Sequence, residues 1–404
     1  MRIVVSGGGT AGHISPALAT CDALKLLDKS VELLYVGQTG GMEERIVANS
    51  QVRFAGISAG KFRRDQSRAA SKLGNLLNPK TLGPNMRDSM RAVAGLSQSL
   101  KLLREFKPAV VFCKGGYVAL PVGLAAKILR IPLVIHESDV SPGLTTRVLG
   151  RWADKIAVGF PVKSYRELDP ERLVFTGNPV RADRLRAHRL EGLKKFELSD
   201  DLPVVLVTGG SLGAGQINDA VVGALPEMLQ VVQLVHLTGE GEYERVRFEV
   251  RRRGRVEHLD RYHPYGFLMA EMPLALAAAD IVLARAGANN IAEFAALGKP
   301  TVLIPNYQMA GHQLENARVL SRAGAARVLD GSKLTPGALA GEVKRLAGDR
   351  EEQERLSRAI RTFAVPDAPE QLARVILDTG RAGERGVVQK PNNGDQDSPG
   401  EREV

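Results

Sequence analysis

One pattern, met twice, constrains this chain more than any other: an aliphatic run, a glycine turn, then a helix-forming stretch. The first copy reads Ile3 to Val5, then Gly7-Gly8-Gly9-Thr10-Ala11-Gly12, then a helical segment from Pro16 to Leu27. The second reads Val204 to Val207, then Gly209-Gly210-Ser211-Leu212-Gly213, then a helix from about Gln216. A buried aliphatic strand that turns on glycine into a helix is the opening unit of a parallel α/β sheet. Further strands are expected at Val31 to Val36, Val110 to Phe112 and Leu133 to Ile135, with a helix from Pro121 to Leu129. After the restart they are expected at Val232 to His236, Val256 to Leu259, Ile281 to Ala284 and Thr301 to Ile304.

The 404 residues therefore divide into two α/β domains, and the cleft between them is the default place for a site. The expected limits are 1–177 for the N-terminal domain, 178–202 for a polar linker and 203–379 for the C-terminal domain. Beyond Gly380 apolar residues nearly vanish, so 380–404 is expected to be a disordered tail.

Composition enters as a set of exclusions. Cys21 and Cys113 alone cannot build a disulfide framework or a Cys-rich metal site, and a reducing cytoplasm fits them. No apolar run approaches the roughly 18 residues that span a bilayer, and the first residues show no signal-peptide pattern. Any membrane contact is expected to be peripheral. The net charge is +10, and Lys61 to Lys107 holds 11 Lys/Arg against 3 Asp/Glu, together with Phe62, Leu73, Leu76, Leu77 and Leu82. Such a stretch suits nucleic acid, anionic lipid or an anionic substrate, or is a solvated face.

The first glycine loop satisfies G-x-G-x-x-G, but the second strand ends in Gly37-Gln38-Thr39, without the acid that holds a dinucleotide ribose. No Gly-Lys-Ser/Thr follows either loop, so a P-loop has little support. What remains is a turn whose backbone donors and helix N-terminus favour an anion, followed at once by His13, which reads as a helix cap or as a base.

Seven motifs then follow in order. They are Gly8-Gly9-Thr10-Ala11-Gly12-His13, Lys114-Gly115-Gly116-Tyr117, His136-Glu137-Ser138-Asp139 with Pro142-Gly143-Leu144, Gly177-Asn178-Pro179-Val180-Arg181, and Gly209 to Ala214. The last two are Arg285-Ala286-Gly287-Ala288-Asn289-Asn290-Ile291-Ala292-Glu293 and His312-Gln313-Leu314-Glu315-Asn316-Ala317. Together they closely resemble the peptidoglycan N-acetylglucosaminyltransferases that convert lipid I to lipid II, over about Met1 to Thr379. Two departures stand out. Ala11 replaces a frequent second glycine, and Asp139 stands where some members carry Asn near the sugar.

The resemblance implies an α/β fold of GT-B type, two Rossmann-like domains, with acceptor on the N-terminal half and UDP-sugar on the C-terminal half. The reaction it implies is inverting attack of the muramyl 4-hydroxyl on the anomeric carbon of UDP-N-acetylglucosamine. His13 is expected as general base or its partner, and Glu137 as an orienter of the base or an acceptor contact. Thr10, Ala11 and Gly12 would bind substrate, and the Ala11 methyl would narrow the space for a phosphate or sugar. The turn at Ser211 and the Arg181 guanidinium can meet the charge of the departing diphosphate, so no metal or other cofactor is expected. Ser211 also reads as a cap and Arg181 as a surface ion pair.

Ala288, Asn289 and Asn290 would lie beside the nucleotide, and Glu293 would hold the ribose, although Asn290 to Glu293 also fits a helix N-cap. The backbone of Met269 would read the uracil, while His312 and Gln313 would read the sugar hydroxyls. Expected partners are UDP-N-acetylglucosamine, lipid I, an anionic membrane surface and other cell-wall synthesis proteins, with no nucleic acid. The expected location is the cytoplasmic face of the cell membrane. Three alternatives differ in function: another GT-B lipid glycosyltransferase such as a diacylglycerol galactosyltransferase, a UDP-sugar epimerase, and a noncatalytic scaffold that binds lipid I.

Overall fold

Aliphatic runs of five or six residues, bounded by glycine or charge, become strands buried on both faces. In the computed structural model, which describes residues 1–60, 79–180, 186–210, 214–306 and 311–388, the first half runs β1 (Arg2–Gly7), α1 (Ala11–Leu27), β2 (Glu32–Gln38), α2 (Met42–Val47), β3 (Arg53–Ile57), α3 (Pro79–Phe106), β4 (Val110–Gly115), α4 (Ala119–Ile128), β5 (Leu133–Glu137), α5 (Leu144–Leu149), β6 (Lys155–Val158) and β7 (Leu173–Phe175). Their sheet has the order β3-β2-β1-β4-β5-β6-β7, parallel at every pairing, with Val4 beside both Leu34 and Val111.

After α6 (Arg189–Lys195), the second half runs β8 (Val204–Thr208), α7 (Gly215–Met228), β9 (Gln233–Leu237), α8 (Tyr243–Arg252), β10 (Tyr262–Tyr265), α9 (Met272–Ala278), β11 (Ile281–Ala284), α10 (Ala288–Leu297), β12 (Thr301–Leu303), α11 (His312–Arg322), β13 (Arg327–Val328), α12 (Pro336–Ala347), α13 (Arg350–Arg361) and α14 (Ala368–Val388). Its sheet has the order β10-β9-β8-β11-β12-β13.

In each sheet the strand order reverses beside the first strand, between β1 and β4 and between β8 and β11. Ligands of open α/β sheets bind at such a switch point, beyond the carboxyl ends of the strands. The first glycine turn emerges there, and so do Gly209 and Gly210 after β8.

Three expectations are corrected. No strand forms at Val256 to Leu259, because His258 is left-handed at φ 58° and reverses the chain. The strand comes at Tyr262–Tyr265, where Pro264, lacking a donor, is tolerated on the sheet edge. The first helix starts at Ala11, which leaves Pro16 inside it. Finally, α14 continues through Gly380 to Val388 and does not belong to the C-terminal packing. Its Leu372, Ala373, Ile376 and Leu377 share one core with Ile14, Leu18 and Leu24 of α1. A Cβ on Gly380 would meet Met1 Sδ at 2.9 Å, and one on Gly383 would meet Pro132 Cγ at 2.5 Å. These glycines, which looked like the start of a tail, let the helix lie close on the N-terminal sheet. The rest of the expected tail, 389–404, lies outside the described residues.

The chain thus crosses between domains twice. In the first crossing Arg189 of α6 binds Asp280 at 2.8 Å and Asp200 at 3.1 Å, which fastens the linker helix to the C-terminal domain.

Candidate active site

The two N-terminal glycine turns touch each other. Gly8 N donates to Gly115 O at 3.3 Å, and a Cβ on Gly116, at φ 77°, would fall 2.1 Å from Gly8 O. Beneath the first turn lies Glu43, almost fully buried, whose Oε1 accepts Gly9 N–H at 2.7 Å and occupies the space a Gly8 side chain would need. The amides of Gly8 and Gly9 are therefore committed within the protein. For these two donors, the expectation that the loop awaits an anion is corrected. On the other side the Tyr117 ring lies under Gly9, with its hydroxyl donating to Gln38 Oε1 at 2.5 Å.

His13 sits in the first turn of α1 and lays its ring against the second glycine turn. A Cβ on Gly115 would lie 3.4 Å from His13 Cε1 and Nδ1, and one on Gly116 would lie 3.2 Å from Cδ2. Nδ1 is enclosed without a hydrogen-bond partner. Burial, then the Lys114 ammonium, press its pKa down to about 4, so the imidazole is neutral at neutral pH. The neutral ring expected from the helix N-terminus is thus produced mainly by desolvation.

Behind His13 lies a buried polar layer. Lys114, 1 % exposed at the end of β4, donates from Nζ to Ser138 Oγ at 2.6 Å. His136 Nε2 donates to Gly177 O at 2.9 Å. Glu137 accepts Asp139 N–H at 3.0 Å through Oε1 and Gly143 N–H at 2.9 Å through Oε2, with the Thr146 hydroxyl also bound. Burial, then Asp139, raise its pKa. Glu137 is therefore committed to shaping its own loop.

The C-terminal domain closes over this layer. Pro16 has no N–H for the Gly12 carbonyl four residues back, and Asn289 Nδ2 from α10 takes that carbonyl at 2.7 Å. Asn316, fully buried on α11, accepts Val140 N–H at 2.9 Å and donates to Asp139 Oδ1 at 2.7 Å and Ala286 O at 3.0 Å. His312 Nδ1 donates to Ser141 O at 2.7 Å. Asn178 donates to Ser138 O at 3.2 Å and reaches Ala288 O at 3.5 Å.

The expected residues are thus drawn together with different present duties. Thr10 and Gly12 are exposed at the start of α1, and Ala11 opens that helix. Asp139, Asn289 and His312 bridge the domains, while Gln313 Oε1 caps Asn306 N at 3.0 Å. Asn290 lies inside α10, whose N-cap is Gly287, so the N-cap reading of Asn290 to Glu293 is corrected; Glu293 is buried on that helix. Ala288 is buried beside it, and Met269 is exposed on the loop before α9. Arg181 and Ser211 lie outside the described residues. Sequence reasoning assigned no role to Glu43, Lys114, Tyr117, His136, Asn178 or Asn316; all but Glu43 stood within the quoted motifs.

The glycosyltransferase family 28 N-terminal domain matches residues 3–158 and the C-terminal domain of the same family matches residues 204–372. The chain belongs to glycosyltransferase family 28. Among its family 28 relatives, the UDP-N-acetylglucosamine–N-acetylmuramyl-(pentapeptide) pyrophosphoryl-undecaprenol N-acetylglucosamine transferase of Bacillus pumilus is 38% identical, covering 94% of this chain and 99% of the relative. The Bacillus subtilis protein of the same name is 36% identical over 93% and 99%. MurG from Acinetobacter baumannii has the same two-domain structure, with a TM-score of 0.70, 25% identity and coverage of 93% and 99%. A UDP-GlcNAc 2-epimerase from Neisseria meningitidis, 16% identical with a TM-score of 0.64, shares the fold alone with this family 28 chain.

Proposed function

We propose that this family 28 enzyme transfers N-acetylglucosamine from UDP-N-acetylglucosamine to the muramyl 4-hydroxyl of lipid I, with inversion, forming lipid II. Among the structural features, the observation that carries it is a buried, neutral histidine whose ring rests where two glycine turns meet, one residue after the Gly12 carbonyl that Asn289 of α10 binds. That arrangement suits a single displacement. The acceptor oxygen bonds to the anomeric carbon, the bond from that carbon to the diphosphate oxygen breaks with its electron pair, and the hydroxyl proton passes to His13. Glu293 would hold the ribose, and Arg181 and Ser211 would meet the leaving diphosphate. The relatives' shared name over nearly the whole chain supports this donor and acceptor.

The same reading puts the enzyme on the cytoplasmic face of the membrane. No helix among the described residues is long and apolar enough to cross it. Met90 and Val93 of α3 are each 70% exposed, next to Arg91. The leucines at 73, 76 and 77 lie outside the described residues. Sedimentation with anionic vesicles should fall at high salt, since each nearby cation contributes about 1 kcal/mol, and should fall after Met90→Ser with Val93→Ser. Binding indifferent to both changes contradicts a membrane-facing α3.

Radiolabelled UDP-N-acetylglucosamine with a short-chain lipid I analogue tests the activity. Label should enter the lipid only when acceptor is present, and UDP-galactose should transfer far more slowly. Equal use of both donors, epimerised donor without transfer, or binding without turnover would each support one of the alternatives.

A further inference from the structure

Among the described residues, a buried lysine lies directly behind the proposed base. Lys114 is enclosed between β1 and β5, and Gly7 can bear no side chain because a Cβ there would lie 2.9 Å from Lys114 Cβ. Its ammonium donates to Ser138 Oγ at 2.6 Å, in the loop that Glu137 and Asp139 shape. The residues after it, Gly115 and Gly116, form the surface on which the His13 ring rests.

We propose that Lys114 is a positioning residue for transfer, its ammonium tying Ser138 and the loop carboxylates to the turn against which His13 packs. The inference rests on the reading of His13 as base and deepens it. A lysine is costly to bury, and it is retained where its charge is compensated. Here Glu137 and Asp139 supply that compensation, although burial still lowers the pKa of Lys114 to about 8. The cation in turn opposes a second positive charge on His13, and on His136, whose pKa lies well below its usual value for the same two reasons.

The groups around this pair are few. Lys114 comes from β4, His136 and Glu137 from β5, Asp139 from the following loop, and Glu43 and Tyr117 flank the glycine turn. Asn289 and Asn316 face it from the C-terminal domain as neutral amides, and His312 is held on Ser141 O. Arg381 of α14 faces Asp28, at the far end of α1. Lys114 is therefore the cation that bears on His13.

The test is a histidine NMR titration of the full-length protein, with His13 assigned by His13→Gln, combined with the pH profile of kcat/KM. In Lys114→Met the His13 midpoint should rise by roughly one unit, while staying below 6.5 because burial persists. The acid limb of kcat/KM should move with it. A folded Lys114→Met with an unmoved midpoint, or a moved midpoint with an unmoved limb, overturns the proposal. Should Lys114→Met not fold, Ser138→Ala keeps every charge and frees the ammonium. It should lower kcat about 5- to 10-fold at unchanged KM for UDP-N-acetylglucosamine, and full kcat would count against the proposal. Separately, His13→Ala with full turnover removes the base reading itself, whereas the titration shift measures Lys114 regardless of that outcome.

Discussion

At the scale of single residues, contacts that no motif spells out govern the site. Gly116→Ala should abolish activity and lower the melting temperature, since its methyl would enter the Gly8 carbonyl at a left-handed backbone position; a soluble variant with parental melting and turnover would contradict the close approach. Glu43→Ala strips the Gly9 amide of its partner and should cost about 1–3 kcal/mol in urea unfolding. His13 carries a pH signature. Its folded pKa of about 4 lies below the unfolded 6.5, so as pH falls the unfolded chain takes up the proton first. Its share of stability is complete above pH 6.5 and is lost between 6.5 and 4, on the order of 3 kcal/mol. Unfolding midpoints of parent and His13→Ala should converge across that window; parallel curves would contradict a buried neutral ring. His13 was legible because the motif placed it at a helix entrance. Glu43 was not, because a carboxylate 34 residues from the glycine loop declares itself only when β2 and α2 bring it under the turn.

Among elements, strands written as uninterrupted aliphatic runs were legible and those broken by polar residues or glycine were not. β1, β2, β4, β5, β8 and β11 read as continuous apolar runs because both faces are buried. β6, β7 and β13 are two to four residues long, and their pairing depends on neighbours already in place. The start of α1 was misplaced by Pro16, which usually marks a first turn. In this helix the proline frees the Gly12 carbonyl for Asn289, so a local defect serves a contact between domains. Pro16→Ala should raise the melting temperature by restoring the helix bond, without raising turnover. A variant both more stable and more active would contradict that role. Asn289→Ala should lower kcat/KM about 2- to 10-fold through loss of a bond worth roughly 0.5–1.5 kcal/mol. The reach of α14 was hidden for another reason. Glycine depresses helix propensity, and only packing on Met1 and Pro132 reveals why Gly380 and Gly383 are there.

For the molecule as a whole, the doubled βα pattern announced two domains, and the motif set announced the family. The closed cleft was not legible, because its bonds join residues more than a hundred positions apart, as Asn316 joins Asp139 and Val140. Asn316→Ala leaves buried partners unpaired and should increase the radius of gyration in solution scattering by shifting the domains toward an open arrangement. An unchanged radius would mean that other contacts suffice for closure. The central claim is narrower: His13 takes the acceptor's proton during N-acetylglucosamine transfer. It is tested most directly by turnover of His13→Ala with UDP-N-acetylglucosamine and a lipid I analogue, beside its UDP affinity. Turnover should fall about 10²–10⁴-fold with UDP affinity nearly unchanged, whereas a variant that keeps most of its turnover would contradict the account.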